Sequence, residues 1–237
     1  GGICRRLFRE PVLRELLSRA DDPRFDPSHR LFVLLALAEW GETVLLRFNG
    51  MFALALWDRQ RRELLLARDR YGIKPLYVAL TGRTLLFGSE VKALLAHGAI
   101  RAAMDTEGLL EYLSFQNFFT DRTLFKGVRM VPAGSFLRVR TGDVGLTAPT
   151  RYWDYRFQEP SDPVDEAEYI EELDRLFQQA VKRQLVSDVE IGAYLSGGMD
   201  SGSITAIAAR ERRDMKSFTC GFDLTSASGM ELSFDER

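Results

Sequence analysis

The stretch EIGAYLSGGMDSGSITAIAARERRDMKSFTCGF, residues 190–222, restricts the possible fold more than any other part of the chain. EIGAYL reads as a short strand, SGGMDS as a tight turn, GSITAIAARERR as a helix and KSFTCGF as a second strand. Strand, helix, strand predicts a parallel pair, because parallel neighbours need a crossover that a hairpin cannot provide.

The turn also carries chemistry. A strand that ends in glycines and opens a helix points several unpaired backbone N–H groups at one place, and the helix dipole adds partial positive charge there. An anion can bind at such a turn without a lysine. Gly197 and Gly198 let the main chain approach phosphate oxygens, and Ser196 and Ser201 offer hydroxyls. Asp200 cannot bind phosphate directly; its candidate roles are capping the helix and holding Mg²⁺ on a nucleotide. Neither G-x-x-x-x-G-K-[ST] nor G-x-G-x-x-G is present, which argues against a Walker-type NTPase and a dinucleotide fold. The alternative is an ordinary strand-to-helix turn, tight because it contains glycine.

Upstream, the pattern is different. MFALALWD, ELLLARD, PLYVAL and TLLFGSE read as strands, with DRQRR and TGR as polar turns between them, so antiparallel neighbours are expected. PVLRELLSRA places Val12, Leu13, Leu16 and Leu17 on one helical face, and Ser89 opens a helix that Gly98 stops. Residues 141–162 are rich in Gly, Pro and Asp and read as a domain boundary. Beyond them, Ile170, Leu173, Leu176, Phe177, Ala180 and Val181 fall at helical spacing, with acids leading the helix and Lys182 and Arg183 closing it.

Composition excludes some functions. A formal charge of -2 over 237 residues, with no basic stripe among aromatics, gives no support to nucleic-acid binding. The longest apolar runs, Leu31 to Ala38 and Met51 to Trp57, are too short to span a bilayer. Cys4 and Cys220 lie far apart without metal-ligand spacing, which fits a reducing cytoplasm.

LSGGMDS after a strand resembles the pyrophosphate loop of the PP-loop ATP pyrophosphatases. RFNGMFALALWDRQRRELLLARDRYGIKPLY, LLFGSEVKALL, GVRMVPAGSFLRV, RYWDY and KSFTCGFD, in that order, resemble the glutamine-hydrolysing asparagine synthetases over residues 30–237. The resemblance implies a partial glutaminase domain over residues 1–154, an α+β layer sandwich of N-terminal-nucleophile type. It implies the start of a parallel-sheet, α/β PP-loop synthetase domain over residues 155–237. The implied activity is amidation of aspartate with ATP and Mg²⁺, through an acyl-adenylate, using glutamine or ammonia, in a cytoplasmic enzyme for which a homodimer is a candidate assembly. The implied ATP and pyrophosphate contacts are Leu195, Ser196, Gly197, Gly198, Asp200, Ser201 and Cys220, with Asp200 also a candidate Mg²⁺ ligand. At Cys220 the backbone is expected to make the contact, and a small buried side chain is the alternative. The charges of ARDRYGIKPLY, with Glu90 and Lys92, are expected to build the fold and the domain contact rather than to catalyse.

The sequence departs from the family pattern in its first third. The family's glutaminase uses an N-terminal cysteine, whereas this sequence opens on Gly1, and Cys4 is followed by Arg5 and Arg6. His29 stands where the family places a pocket aspartate, and reads as a solvated residue at a helix start. The expectation is a chain that begins inside the glutaminase domain, ends where the family's next helix would start, and has no glutaminase activity of its own. The catalytic residues are left unassigned.

Overall fold

All four strand-like runs expected before residue 89 are strands in the computed structural model, which describes residues 28–143, 145–160, 165–187 and 189–221. Cys4 and the helix expected over PVLRELLSRA lie outside the described residues, and of His29 only the backbone is described. Contacts divide the chain into two units, one ending at Arg156 and the other starting at Phe157.

The first unit contains α1 (Ser28–Trp40), a 3₁₀ segment (Gly41–Leu46), β1 (Ala53–Asp58), β2 (Glu63–Arg68), β3 (Tyr77–Thr81), β4 (Thr84–Gly88) and α2 (Val91–Leu95). It continues with α3 (Thr106–Phe115), β5 (Val128–Met130), β6 (Ser135–Arg140) and β7 (Thr150–Arg151). One sheet has the order β1-β2-β6-β7 and a second the order β4-β3-β5. Both are antiparallel throughout, with Leu66 opposite Leu137 and Ala79 opposite Leu86.

Alternation along the strands explains how these sheets stack. Leu65, Ala67 and Phe136 point to one face, where they pack with Ala36, Leu37, Val44 and Leu45 of α1 and the 3₁₀ segment. Their neighbours Leu66 and Leu137 point to the other face and meet Val78 of the second sheet and Val131, just past the end of β5. Ala79, next to Val78 on β3, faces outward again, onto Leu94 of α2 and Val128. The result is four layers: helix, sheet, sheet, helix. β2 lies inside this stack with both faces covered, which is why Leu64 to Ala67 is a continuous apolar run rather than an alternating one.

α3 had no place in the sequence reading, although its signals are present. The Asp105 carboxylate caps it by accepting from the Gly108 amide at 2.9 Å, and Gln116, with φ 53, stops it in the left-handed conformation. Gly108 is where this helix crosses Thr123, since a Cβ there would lie 2.3 Å from the Thr123 carbonyl oxygen. Alanine would improve helix propensity by about 1 kcal/mol. Against a fixed backbone oxygen the overlap costs more, about 1–3 kcal/mol. Gly108→Ala is therefore expected to destabilise the first unit, seen as a lower urea midpoint by tryptophan fluorescence. Trp40, Trp57 and Trp153, the three tryptophans of the sequence, all lie in that unit.

ARDRYG forms the unit's polar knot, in keeping with the structural role expected for its charges. Asp69 is 1% exposed, and its carboxylate accepts from the amides of Phe52 (3.2 Å), Tyr71 (3.2 Å), Ile73 (3.0 Å) and Lys74 (3.0 Å). Beside it, the Arg68 guanidinium donates to the carbonyls of Lys74 (2.9 Å), Val131 (2.8 Å) and Gly72. Glu90 and Lys92 pair with each other at the surface.

The stretch expected as a boundary is partly built into this unit. β7 pairs with β6, and the amides of Tyr152 and Trp153 donate to the Gly134 carbonyl. Trp153 packs its ring against Tyr71 and Tyr155. The Tyr152 hydroxyl donates to the Arg68 carbonyl at 2.8 Å. Burial, with the nearby Asp69 charge, pushes that phenol up to about 12. Its pKa in the unfolded chain is near 10, so its contribution to stability is intact below about pH 10 and is lost as pH rises to about 12. Stability of the first unit is expected to fall over that window, and to fall less steeply in Tyr152→Phe. Urea midpoints at pH 9 to 12 check this.

The second unit contains α4 (Glu166–Gln184), β8 (Gly192–Tyr194), α5 (Met199–Glu211) and β9 (Lys216–Phe218). β8 and β9 are parallel, with Ala193 opposite Ser217, as the strand–helix–strand order requires. Asp165 caps α4 by accepting from the Ala167 amide at 3.1 Å. Val181 and Phe177 of α4 pack with Ile207 and Ala208 of α5. Only this C-terminal half of the expected apolar face is covered among the described residues; Ile170 and Leu173 are exposed.

Candidate functional site

The turn between β8 and α5 is anchored at its base by β9. Leu195, just past the end of β8, donates its amide to the Phe218 carbonyl at 2.9 Å, and Thr219 returns its hydroxyl to the Leu195 carbonyl at 2.8 Å. Gly192 leaves room for the Phe218 ring, because a Cβ there would come within 2.7 Å of it. Cys220 follows Thr219 directly. Its thiol is exposed, so the buried alternative considered for it does not hold.

From Leu195 the chain folds back on itself. Gly197 takes φ +73, a left-handed conformation that glycine adopts without strain. Gly198 is the N-cap of α5, and the first helical bond runs from the Gly202 amide to its carbonyl at 3.0 Å. A helix leaves its first amides without internal partners. Here the N-cap has no side chain to take one of them. The amides of Gly197, Gly198, Met199, Asp200 and Ser201 donate to none of the described residues. Residues 196–200 are exposed. Five main-chain donors thus lack a partner at the positive end of a 13-residue helix, four of them on exposed residues and the fifth on the half-buried Ser201.

The hydroxyls face inward. Ser201 Oγ lies 3.1 Å from the Ser196 amide, 3.0 Å from Ser196 Oγ and 3.1 Å from the Gly198 carbonyl. Asp200 sits in the first turn of α5 and does not cap it, because Gly198 holds that position and no side chain bonds there. Its carboxylate makes no hydrogen bond or ion pair with a described residue. Among the described residues no three His, Cys, Asp or Glu side chains gather into a metal-ligand cluster.

So the structure brings Ser196, Gly198 and Ser201 together through hydrogen bonds and ties Leu195, at the start of the turn, to Phe218 and Thr219. It puts Gly197 and Asp200 within the same turn and Cys220 one residue from a group bonded to its base. Thr219 was missed in the sequence reading. The only signal for it was a hydroxyl next to Cys220 at the end of the neighbouring strand.

The first unit holds a cavity of about 310 Å³ between α1 and the first sheet, whose polar wall includes Glu42, Glu63 and Arg138. These groups pair among themselves: Arg138 with Glu42 and with Glu63, and Glu63 also with Arg140 at 2.9 Å.

A helix–sheet–sheet–helix unit followed by a unit with a strand–glycine turn–helix–strand motif defines a mixed α/β protein. Comparisons with known proteins agree for both halves. A family model for the glutamine amidotransferase domain matches residues 12–153, and one for asparagine synthase matches residues 172–237. "Asparagine synthetase [glutamine-hydrolyzing] 3" of Bacillus subtilis is 40% identical over 205 residues, 86% of this chain and 32% of its own length. "Asparagine synthetase [glutamine-hydrolyzing] 1" of the same organism is 33% identical, over 85% of this chain and 31% of its own length. "Amidase chyE" of Penicillium rubens is 33% identical over 83% of this chain and 31% of its own. The chain belongs to the glutamine-hydrolysing asparagine synthetase family, and it spans about a third of the length of these relatives.

Proposed function

We propose that a protein carrying this chain is an ATP-dependent carbon–nitrogen ligase that makes asparagine from aspartate, with glutamine or ammonia as nitrogen donor. What supports the reading most is the row of five amides from Gly197 to Ser201 without a partner among the described residues, at the mouth of α5 in the half that matches asparagine synthase. A carboxylate is a poor electrophile until one of its oxygens becomes a good leaving group. In the proposed reaction the aspartate side-chain carboxylate attacks the α-phosphorus of ATP, and the bond to the bridging oxygen breaks to release pyrophosphate. Ammonia then attacks the acyl carbon and loses a proton, and AMP leaves with the electron pair of the acyl–oxygen bond.

The turn's part is to receive charge on the departing pyrophosphate. Amides already aimed at the anion need no reorganisation as that charge grows. Leu195 and the backbone of Cys220 are assigned to the nucleotide beside it. Mg²⁺ would supply Lewis-acid neutralisation of the phosphates. Asp200 fits as one ligand, exposed and unpaired, with phosphate oxygens and water as the others. The full-length protein is expected to exchange labelled pyrophosphate into ATP only when aspartate is present.

The similarity to an amidase of Penicillium rubens favours a second reading, an adenylating amide synthetase of the same architecture acting on another carboxylate. Exchange driven by a different acid and not by aspartate selects this second reading. Synthesis supported by ammonia but not by glutamine assigns the first unit a scaffolding role.

A further inference from the structure

Ser201 stands in the turn where a hydroxyl could reach an anion, yet its bonds are already filled. A serine hydroxyl has one hydrogen and two lone pairs. The hydrogen goes to the Gly198 carbonyl at 3.1 Å. One lone pair takes the Ser196 amide at 3.1 Å. Because the hydrogen of Ser201 is committed, the 3.0 Å contact with Ser196 Oγ must be a donation from Ser196, which fills the second lone pair. The Gly198 carbonyl is saturated as well, accepting from Ser201 Oγ and from the Gly202 amide.

These bonds tie two residues before the N-cap to the third residue of the helix, across the neck of the turn. A serine or aspartate at an N-cap would take the amide of the second or third helical residue for itself. Here Gly198 occupies the N-cap, and the side chain that braces the turn comes from Ser201 and takes the Ser196 amide instead. The four amides in between, and that of Ser201 itself, remain available.

We infer that Ser201 is a positioning residue: its hydroxyl clasps the neck of the turn and sets the direction of the amides from Gly197 to Ser201, without itself contacting phosphate. The inference rests on the reading that this turn holds pyrophosphate. Under it, Ser196 is the one hydroxyl of the pair that can be recruited by an anion, by turning its hydrogen away from Ser201.

Amide hydrogen exchange and pyrophosphate affinity of the full-length protein test this, in the wild type, Ser201→Ala and Ser201→Thr. The Ser196 amide is expected to be protected in the free protein and to stay protected at saturating magnesium pyrophosphate. Ser201→Ala should remove that protection and weaken pyrophosphate binding about tenfold, as loss of one to two net hydrogen bonds implies. Ser201→Thr, which keeps the hydroxyl, should restore both. Loss of Ser196 protection when pyrophosphate is added to the wild type makes Ser201 a ligand and overturns the inference. So does Ser196 exchange that is the same in the wild type and in Ser201→Ala. A wild type that binds no pyrophosphate overturns the nucleotide reading instead, and the Ser196 exchange of Ser201→Ala then still decides the clasp.

Discussion

Asp69→Ala is expected to unfold the first unit at temperatures where the wild-type chain is folded. The Asp69 carboxylate is buried and takes four amides, those of Phe52, Tyr71, Ile73 and Lys74, and no other acceptor in the knot could replace it. Each of these part-buried amides left without its acceptor costs about 1 kcal/mol or more, and the Arg68 charge beside the carboxylate loses its counter-charge. A loss of at least about 4 kcal/mol follows, a large share of the 5–15 kcal/mol that holds a domain together. Asp69→Asn should cost about half as much, because one oxygen remains but the amide nitrogen faces two N–H groups. Both are read as urea midpoints by tryptophan fluorescence. An Asp69→Ala midpoint near that of the wild type would mean that the knot does not hold the two sheets together.

Gly198→Asp is expected to separate stability from function. Aspartate is a better N-cap than glycine by a few tenths of a kcal/mol, and the backbone at Gly198, φ -75 and ψ 156, is open to any residue. A Cβ there would meet only Ser196 Oγ, at 3.5 Å, an ordinary contact. α5 should therefore be as stable as before, or slightly more so. The new carboxylate, however, would occupy the amides proposed to hold pyrophosphate and would repel its charge. Losing two charge-assisted hydrogen bonds corresponds to roughly a 100-fold weaker interaction. Pyrophosphate exchange should fall by about that factor with the melting temperature unchanged. Unchanged exchange in a folded variant would remove the turn from the reaction.

The parallel pair was readable because a glycine turn between a strand and a helix leaves little freedom, and β8, α5 and β9 follow it closely. The strands of the first unit were readable from their runs of apolar residues, but their layering was not. Leu65 and Leu66 are equally apolar in the sequence, and only the pairing of β2 between β1 and β6 shows that they face different layers. α3 was missed because Gly108 weakens its helical signal, and that glycine is there for a contact with Thr123, far from it in the pattern. At the turn, residue types were enough to nominate Ser196 and Ser201 but not to tell which way their hydroxyls point. That depends on Gly198 leaving the N-cap empty. Capping stood beside Mg²⁺ binding as a candidate role for Asp200 for the same reason: its position in the first turn is visible in the sequence, but the N-cap residue is not.

The account depends on the amides from Gly197 to Ser201 receiving the outer phosphates of ATP. A ¹⁵N-labelled full-length protein titrated with magnesium pyrophosphate tests this directly. The account predicts that those five amide resonances move together and saturate at one dissociation constant, which Gly198→Asp raises. Resonances that stay in place while pyrophosphate binds elsewhere on the protein would contradict it.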